Sequence, residues 1–473
     1  MIEQIKKIPV TEDSHPFAHA APRCRFHEIG YEEDEYFLYG TAHVYEETED
    51  KGAVIIFENA PYVNRMLVRR PKDITKFSGN VIVEMLNPSA FYDIDRMWVE
   101  AWHYFVRHGD LYIGLTSKSD VLDALYRLDP QRYTPLSWKN PLPGRKRPKS
   151  GLFPVLEEYE NGLLWDMLTD LSCVLRTENA INPIAEYGRP YLYLTGWSQC
   201  GSFMVRYRKT FADEASRKIG QPVFDGYMHA GAGCTFAPIN SFTESLGFWD
   251  TPENFSGIIE SAEPYMVLNT ETETPYTRWS GDSDEPGALF RVYEIAGSSH
   301  DSKYNLLDYY EEDDDPAKLG LDQPYYGLEP YPQDYPYEYI FAAAFRNLFT
   351  WVREGVPAPP SLKVERYLNG ESKKDAFGNT RGGVRTPFID LPTCVYSKYC
   401  TLKEDPAKQR DFWGHVEPFP PEFLTCLYQS LDQYKGRVAE RTEELIAQGY
   451  LLNCDKEAII QTAVQFAKER GLE

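Results

Sequence analysis

The sequence predicts an α/β chain: a mostly parallel central sheet with helices on both faces, interrupted by lid or cap insertions. Three observations carry that prediction. Runs such as NVIVEML (80–86) are almost unbroken in apolar residues, as strands covered on both faces are. Between them lie segments whose apolar residues recur at i, i+3, i+4 and i+7, the period of an amphipathic helix. The two kinds alternate along the chain, which is the order that right-handed crossovers between parallel strands require.

The elements follow in order. From about residue 23 to 70, YFLYGTAHVY, AVIIFE and VNRMLVRR are separated by charged turns and read as antiparallel strands. NVIVEML then leads into a helix bearing Trp98, Ala101, Trp102 and Phe105, which Gly109 ends, and DLYIGLTS (110–117) is the next strand. A second helix carries Leu164, Met167, Leu168, Leu171, Val174 and Leu175. The strand YLYLTG follows it, and a third helix has Cys200, Phe203, Met204, Tyr207 and Phe211 on one face. PVFDGYMHA (222–230), PYMVLNT (264–270) and FRVYEIAG (290–297) continue the sheet.

Segments 231–262 and 301–337 interrupt the pattern and read as lids or pocket walls, because long loops inside a compact unit are commonly functional. Their tyrosines and Trp249 are candidates for an aromatic or apolar pocket lining. A helix at 338–353 closes the core. The extension 356–473 holds strand-like pieces near GGVRTPFIDLPTCVY and two amphipathic helices, at about 421–449 and 455–469. The whole chain, 1–473, reads as a single domain.

Composition bounds the function. The net charge of −23 argues against a nucleic acid or an anionic membrane surface as partner, since both would repel the chain. The N-terminal residues lack the apolar core of a signal peptide, and no run of about 18 apolar residues appears, so a soluble, cytoplasmic protein is expected. The eight cysteines show neither a disulfide-dense pattern nor a C-x-x-C pair, and are expected to be reduced and structural. The acidic run Asp308–Asp315 lacks calcium-loop spacing and reads as a solvated face, so no metal or other cofactor is expected.

Chemistry concentrates at GWSQCG (196–201). A serine on a sharp turn between a buried strand and an amphipathic helix is the context of the G-x-S-x-G nucleophile elbow, with Cys200 where the second glycine usually stands. An ordinary serine capping a helix is the competing reading. The elbow predicts an acid and then a histidine, each after a later strand. Of the histidines that follow Ser198, His300 in EIAGSSHD is placed to serve; His229 sits inside a strand and reads as packed, and His415 lies in the tail.

Glu271 and Glu273 in NTETET are both candidates for the acid, with Glu273 preferred because it lies further into the loop. For the tetrahedral oxyanion, the backbone N–H of Gln199 is one donor. The other is assigned to the loop after NVIVEMLN, through Ser89 N–H or the Asn87 side chain, since Pro88 has no N–H. Folding is thus expected to bring hydroxyl, imidazole and carboxylate together at one rim of the sheet.

With these residues assembled, the chain resembles the α/β-hydrolase superfamily, and within it a family of single-chain "α/β-hydrolase domain" proteins. YGTAHVY, LVRRPKDITKFSGNVIVEMLN, GWSQCG, NTETET, FRVYEIAGSSHD, WVREGVPAPP, GGVRTPFIDLPT and GYLLNCDKEAI carry the resemblance, in that order and over nearly the whole length. That family usually has serine, alanine or glycine at the Cys200 position and an aspartate where Glu273 stands. The resemblance implies esterase-type hydrolysis of a small-molecule ester, with no organic cofactor. Amide cleavage, acyl transfer from the same triad and a non-catalytic binding protein on the same fold are the alternatives.

Overall fold

The computed structural model of the chain describes residues 1–473 apart from 19–22, 50–51, 149–155, 245–250, 252, 254, 321–327, 330–332, 403–404 and 411. Trp249, a candidate pocket residue, lies outside the described residues. The chain divides into two compact units, one of Met1–Tyr265, Glu285–Leu289 and Tyr310–Leu321, the other of Met266–Asp284, Phe290–Tyr309 and Asp322–Glu473.

In the first unit, β1 (Ile2–Ile8), β2 (Tyr31–Glu47) and β3 (Ala53–Pro71) form an antiparallel set, in which AVIIFE and VNRMLVRR, expected as two strands, run on as the single strand β3, and β1 lies before the stretch where strands were expected. The sheet continues through β4 (Asn80–Leu86), β5 (Leu111–Thr116), β6 (Tyr191–Trp197) and β7 (Gly226–Ala230), in the spatial order β1-β2-β3-β5-β4-β6-β7. β4 pairs in parallel with both β5 and β6, and β6 pairs in parallel with β7; β3 meets β5 antiparallel. Every residue of β4, β5 and β7 is buried, which is why their sequences run apolar rather than alternate.

Glu84 is the one charged residue inside β4, and it has a task. Its Oε1 accepts from Met97 N at 2.9 Å, and its Oε2 accepts from Trp98 N at 3.0 Å and from Tyr112 Oη at 2.7 Å. It therefore serves the open N–H groups of helix α1 (Arg96–His108) from below. Burial pushes its carboxyl up to about 8, and the nearby Asp95 charge adds to that while the two N–H donors and the phenol oppose it. Helix α1 ends as expected at Gly109, in the left-handed region at φ 76°.

Helix α2 (Leu164–Leu175) lies where its period predicts. The third helix is shorter than its apolar face suggests: α3 (Gln199–Tyr207) gives way at Arg208–Ala212 to a π-helical turn before a last segment, Asp213–Ile219. Phe211 still packs on the same face through this bulge, stacked 5.4 Å from Trp165. Apolar periodicity alone does not register such a one-residue insertion.

Strand β8 (Ser261–Thr270) carries the chain into the second unit, and β9 (Ser283–Glu285) and β10 (Ala288–Ile295), most of each in that unit, follow in the order β8-β10-β9. Helix α4 (Glu338–Glu354) buries Ile340, Ala344, Leu348 and Trp351 as the pattern requires. Two short antiparallel strands, β11 (Cys394–Ser397) and β12 (His415–Pro418), come next. The helix expected over 421–449 is two helices, α5 (Pro421–Tyr428) and α6 (Leu431–Gln448). Gln429 turns at φ 61° and Ser430 caps the new helix by accepting from Gln433 N, so a capping serine outweighs a nearly continuous period. Helix α7 (Lys456–Glu469) ends the set.

The expected lid segments contribute largely to packing where they are described. Ala232, Cys234, Ala237 and Ile239 are buried in the first unit, and Arg206 and Trp165 donate to the carbonyls of Ala237 and Ile239. Tyr335 and Tyr337 are buried in the second. The acidic run is largely solvated, with Glu311, Glu312 and Asp314 exposed, while Asp315 is buried against His15 at 2.9 Å and Lys318 at 2.8 Å, and Asp308 pairs with Lys303. All eight cysteines are free thiols. Among the described residues no helix is long and apolar enough to cross a membrane, and no cluster of His, Cys, Asp or Glu is arranged to hold a metal ion.

Candidate active site

The two units carry separate parts of the candidate machinery. In the first, Ser198 sits between the end of β6 and the start of α3 with φ 56° and ψ −115°. A non-glycine residue in this left-handed region costs about 1–2 kcal/mol, so the turn must be held by its surroundings. Ser198 N donates to Ala230 O at 2.8 Å, and Gly201 N donates back to Ser198 O at 2.9 Å.

Sterics close the turn from both sides. A Cβ added to Gly196 would lie 2.8 Å from Cys200 Cβ, and one added to Gly201 would lie 2.4 Å from Ala232 Cβ and 3.3 Å from the His229 ring. Strand and helix approach so closely that only hydrogen fits at either position. Cys200 is accommodated because its side chain points down toward β4 and β5: Sγ lies 3.3 Å from Leu86 O and 3.4 Å from Ser117 Oγ. Burial raises its thiol far above the ordinary cysteine range, so it is a packed, protonated group.

The loop after β4 is bolted to this corner. Asn87 Nδ2 donates to Trp197 O at 2.8 Å, one residue before the serine, while Asn87 Oδ1 accepts from Ser89 N at 2.9 Å. Asn87 and Ile94 exchange both backbone hydrogen bonds, which closes the loop at its base. Asn87 and the Ser89 N–H, both expected as oxyanion donors, are thus engaged with the elbow and with one another. Gln199, the other expected donor, is the first residue of α3.

In the second unit, Glu273 and His300 are brought together. His300 Nδ1 meets Glu273 Oε1 at 2.7 Å, and the other carboxylate oxygen accepts from Thr270 N and Thr270 Oγ1, both at 2.8 Å. Glu273 is fully buried, and the Phe412 ring packs T-shaped against the imidazole with centroids 5.1 Å apart. His300 N donates to Thr272 Oγ1 at 3.0 Å, which fixes its backbone as well.

Glu271 is also fully buried, and its carboxylate is engaged by other groups. Its Oε2 accepts from Gly297 N at 2.9 Å and Thr380 Oγ1 at 2.6 Å, and its Oε1 lies 3.2 Å from Lys374 Nζ. Burial alone would raise its carboxyl; the Lys374 ammonium and the Thr380 hydroxyl outweigh that and hold it below the usual range.

The remaining histidines have other partners. His229 Nδ1 bonds Tyr265 Oη at 2.7 Å, and full burial pushes its imidazole down to about 3. His415 opens β12, bonded to Tyr399 O and to Glu417 at 2.9 Å. Thr270, Thr272, Lys374 and Thr380 complete the polar surroundings of the two glutamates without being prominent in the sequence. The alternation of Thr and Glu in NTETET was the available signal for the first two; Lys374 and Thr380 lie about a hundred residues away with no motif to mark them.

Compared with known proteins, residues 4–461 match the sequence model of the family described as "Alpha/beta hydrolase domain". No curated protein matches the chain. Solved structures that it resembles include one of two fungal esterases from Rhizomucor miehei (10% identity, 66% of this chain and 92% of that one, TM-score 0.30). Others are the esterase Est22 with p-nitrophenol (10%, 53% and 68%, 0.27) and the carboxylesterase Cest-2923 from Lactobacillus plantarum (10%, 45% and 68%, 0.26).

Proposed function

Because the chain belongs to the α/β-hydrolase domain family, we propose that it is a serine hydrolase that cleaves a carboxylic ester through an acyl-enzyme on Ser198. The observation that carries this reading is the backbone of Ser198, a serine in the left-handed region on a strand-to-helix corner where glycines at 196 and 201 leave no room for a side chain. An ordinary helix-capping serine has extended dihedrals and its side chain accepts a backbone N–H, and Ser198 does neither.

In the proposed reaction, His300 Nε2 takes the Ser198 proton as Oγ attacks the ester carbonyl. Glu273 holds Nδ1 and so selects the tautomer in which Nε2 is the base, then steadies the imidazolium that forms. The reaction requires Ser198 Oγ and His300 Nε2 to come within about 3 Å of one another. The imidazolium returns its proton to the leaving alkoxide. Water then attacks the acyl-enzyme with the same imidazole as base.

Gln199 N–H is the first oxyanion donor in this scheme, at the positive end of α3. Ser89 N–H becomes the second when an incoming substrate oxygen displaces Asn87 Oδ1. Asn87 keeps the loop in register with the serine through Trp197 O. The substrate is a small-molecule ester.

A panel of p-nitrophenyl esters of increasing acyl length, hydrolysed by the native protein and by Ser198→Ala, tests the reading. The variant is expected to lose about 10⁴-fold or more in kcat/KM. Equal turnover by the two proteins would remove Ser198 as the nucleophile.

A further inference from the structure

We propose that Glu271 is a positioning residue for His300: together with Lys374 and Thr380 it clamps the turn that presents the imidazole, without touching the imidazole itself. The inference deepens the triad reading and rests on His300 being its base. It is carried by a ladder of hydrogen bonds between two short segments of the second unit, 270–273 and 297–300. Glu271 N donates to Ser298 O at 3.1 Å, Gly297 N donates to Glu271 Oε2 at 2.9 Å, and His300 N donates to Thr272 Oγ1 at 3.0 Å. The pair of His300 Nδ1 and Glu273 Oε1 at 2.7 Å is the last rung. Three consecutive side chains, Glu271, Thr272 and Glu273, therefore bind in turn the backbone at the start of the other segment, the backbone at its end and the imidazole.

The rung made by Glu271 is the one anchored from outside. Lys374 and Thr380 face each other as a β-bridge, and Lys374 Nζ donates to Thr380 Oγ1 at 2.7 Å. Both also bond the Glu271 carboxylate, at 3.2 and 2.6 Å, so the three side chains close a ring. The carboxylate is fully buried and the lysine side chain is 44% exposed, so the ammonium neutralises the acid without itself being taken fully out of water. The turn it grips has no slack on its other side. Gly297 is at φ +78°, and a Cβ there would meet Ile389 Cδ1 at 2.4 Å.

Without the carboxylate, the Gly297 N–H is left buried and unsatisfied three residues before His300, and the turn must shift to find a new partner. A displacement of about 1 Å at a general base is enough to cost about 10²-fold in rate.

The test compares Glu271→Ala, Glu271→Gln and Glu273→Gln by ester kinetics and by the low-field proton resonance of His300 Nδ1–H, which Glu273→Gln identifies by abolishing it. For Glu271→Ala the expectation is a fall in kcat of about 10²-fold with KM within about twofold, and a broadened or displaced resonance. Glu271→Gln keeps an acceptor for Gly297 N and is expected to recover kcat to within about tenfold. A folded Glu271→Ala protein with native kcat and a native resonance would overturn the proposal, as would equal losses in the Ala and Gln variants.

If Glu271→Ala does not fold, the double variant Lys374→Met/Thr380→Val strips the clamp from the carboxylate and is read the same way. A native resonance and kcat there would be equally fatal. The resonance needs neither turnover nor Ser198, so a wrong nucleophile would be exposed by Ser198→Ala while leaving this measurement able to decide.

Discussion

Ser198 and His300 are held by opposite means. The serine is fixed by shape: a strained backbone, two glycines without room for a methyl group, and a neutral thiol packed beneath. The histidine is fixed by charge and hydrogen bonds: one buried carboxylate on the ring, a second on the backbone three residues earlier, and threonine hydroxyls between. A nucleophile must be presented in one place, and close packing does that cheaply. A base must rotate, accept a proton and carry a positive charge, and only polar partners can follow those changes.

The contrast predicts different failures for the two regions. Among the groups that hold the two side chains in place, the largest effect is expected at Glu273. Glu273→Gln leaves the shape of the site intact but offers an amide donor or a neutral acceptor to Nδ1, and kcat/KM for an activated ester should fall by about 10³- to 10⁴-fold. A fall of less than about tenfold would mean that the imidazole is oriented by something other than this carboxylate.

Next is the elbow, where the loss should appear in stability. Gly201→Ala drives a methyl group to 2.4 Å from Ala232 Cβ and is expected to cost about 1–3 kcal/mol in denaturant unfolding. Gly196→Ala should cost a similar amount, and Cys200→Gly in the same chain should return part of it, because the clash is with Cys200 Cβ. Strict additivity of those two changes would contradict the steric account.

A difference in pH dependence separates two glutamates that are both fully buried. The Glu84 carboxyl is raised to about 8 from the ordinary 4.5, so the folded state holds the extra proton. Its contribution to stability is complete below about 4.5 and declines as pH rises toward 8, with a slope of at most about 1.4 kcal/mol per pH unit. Glu271 is lowered from 4.5, so its contribution is present above that value and is lost as pH falls through the lowered one. Unfolding curves from pH 3 to 9 should therefore flatten between about 4.5 and 8 in Glu84→Gln and below about 4.5 in Glu271→Gln. The same change in both variants would erase the distinction.

Most of the architecture was legible because it rests on patterns that local chemistry imposes. NVIVEML and YLYLTG had to be strands buried on both faces, and Gly109 had to end a helix. The breaks were not legible. The π-turn at Arg208–Ala212 and the cap at Ser430 interrupt runs whose apolar period continues through them. In the candidate site, Ser198, Glu273 and His300 stood out because each follows a strand.

The choice between Glu271 and Glu273 did not. What separates the two is their partners, Gly297, Lys374 and Thr380 for Glu271 and His300 for Glu273, and sequence spacing carries no information about which of two carboxylates an ammonium a hundred residues away will claim. Asn87 shows the same limit: its spacing marked it as a donor near the elbow, and its partner turned out to be the carbonyl of Trp197.

The central claim is that Ser198 is the nucleophile and His300 its base. Reaction with a fluorophosphonate ester, followed by mass spectrometry of the labelled peptide, tests both at once. The account predicts one phosphonyl group on Ser198 in the native protein and labelling slowed by about 10³-fold or more in His300→Ala. A label on another residue, or Ser198 labelled as fast without the imidazole as with it, would contradict the account.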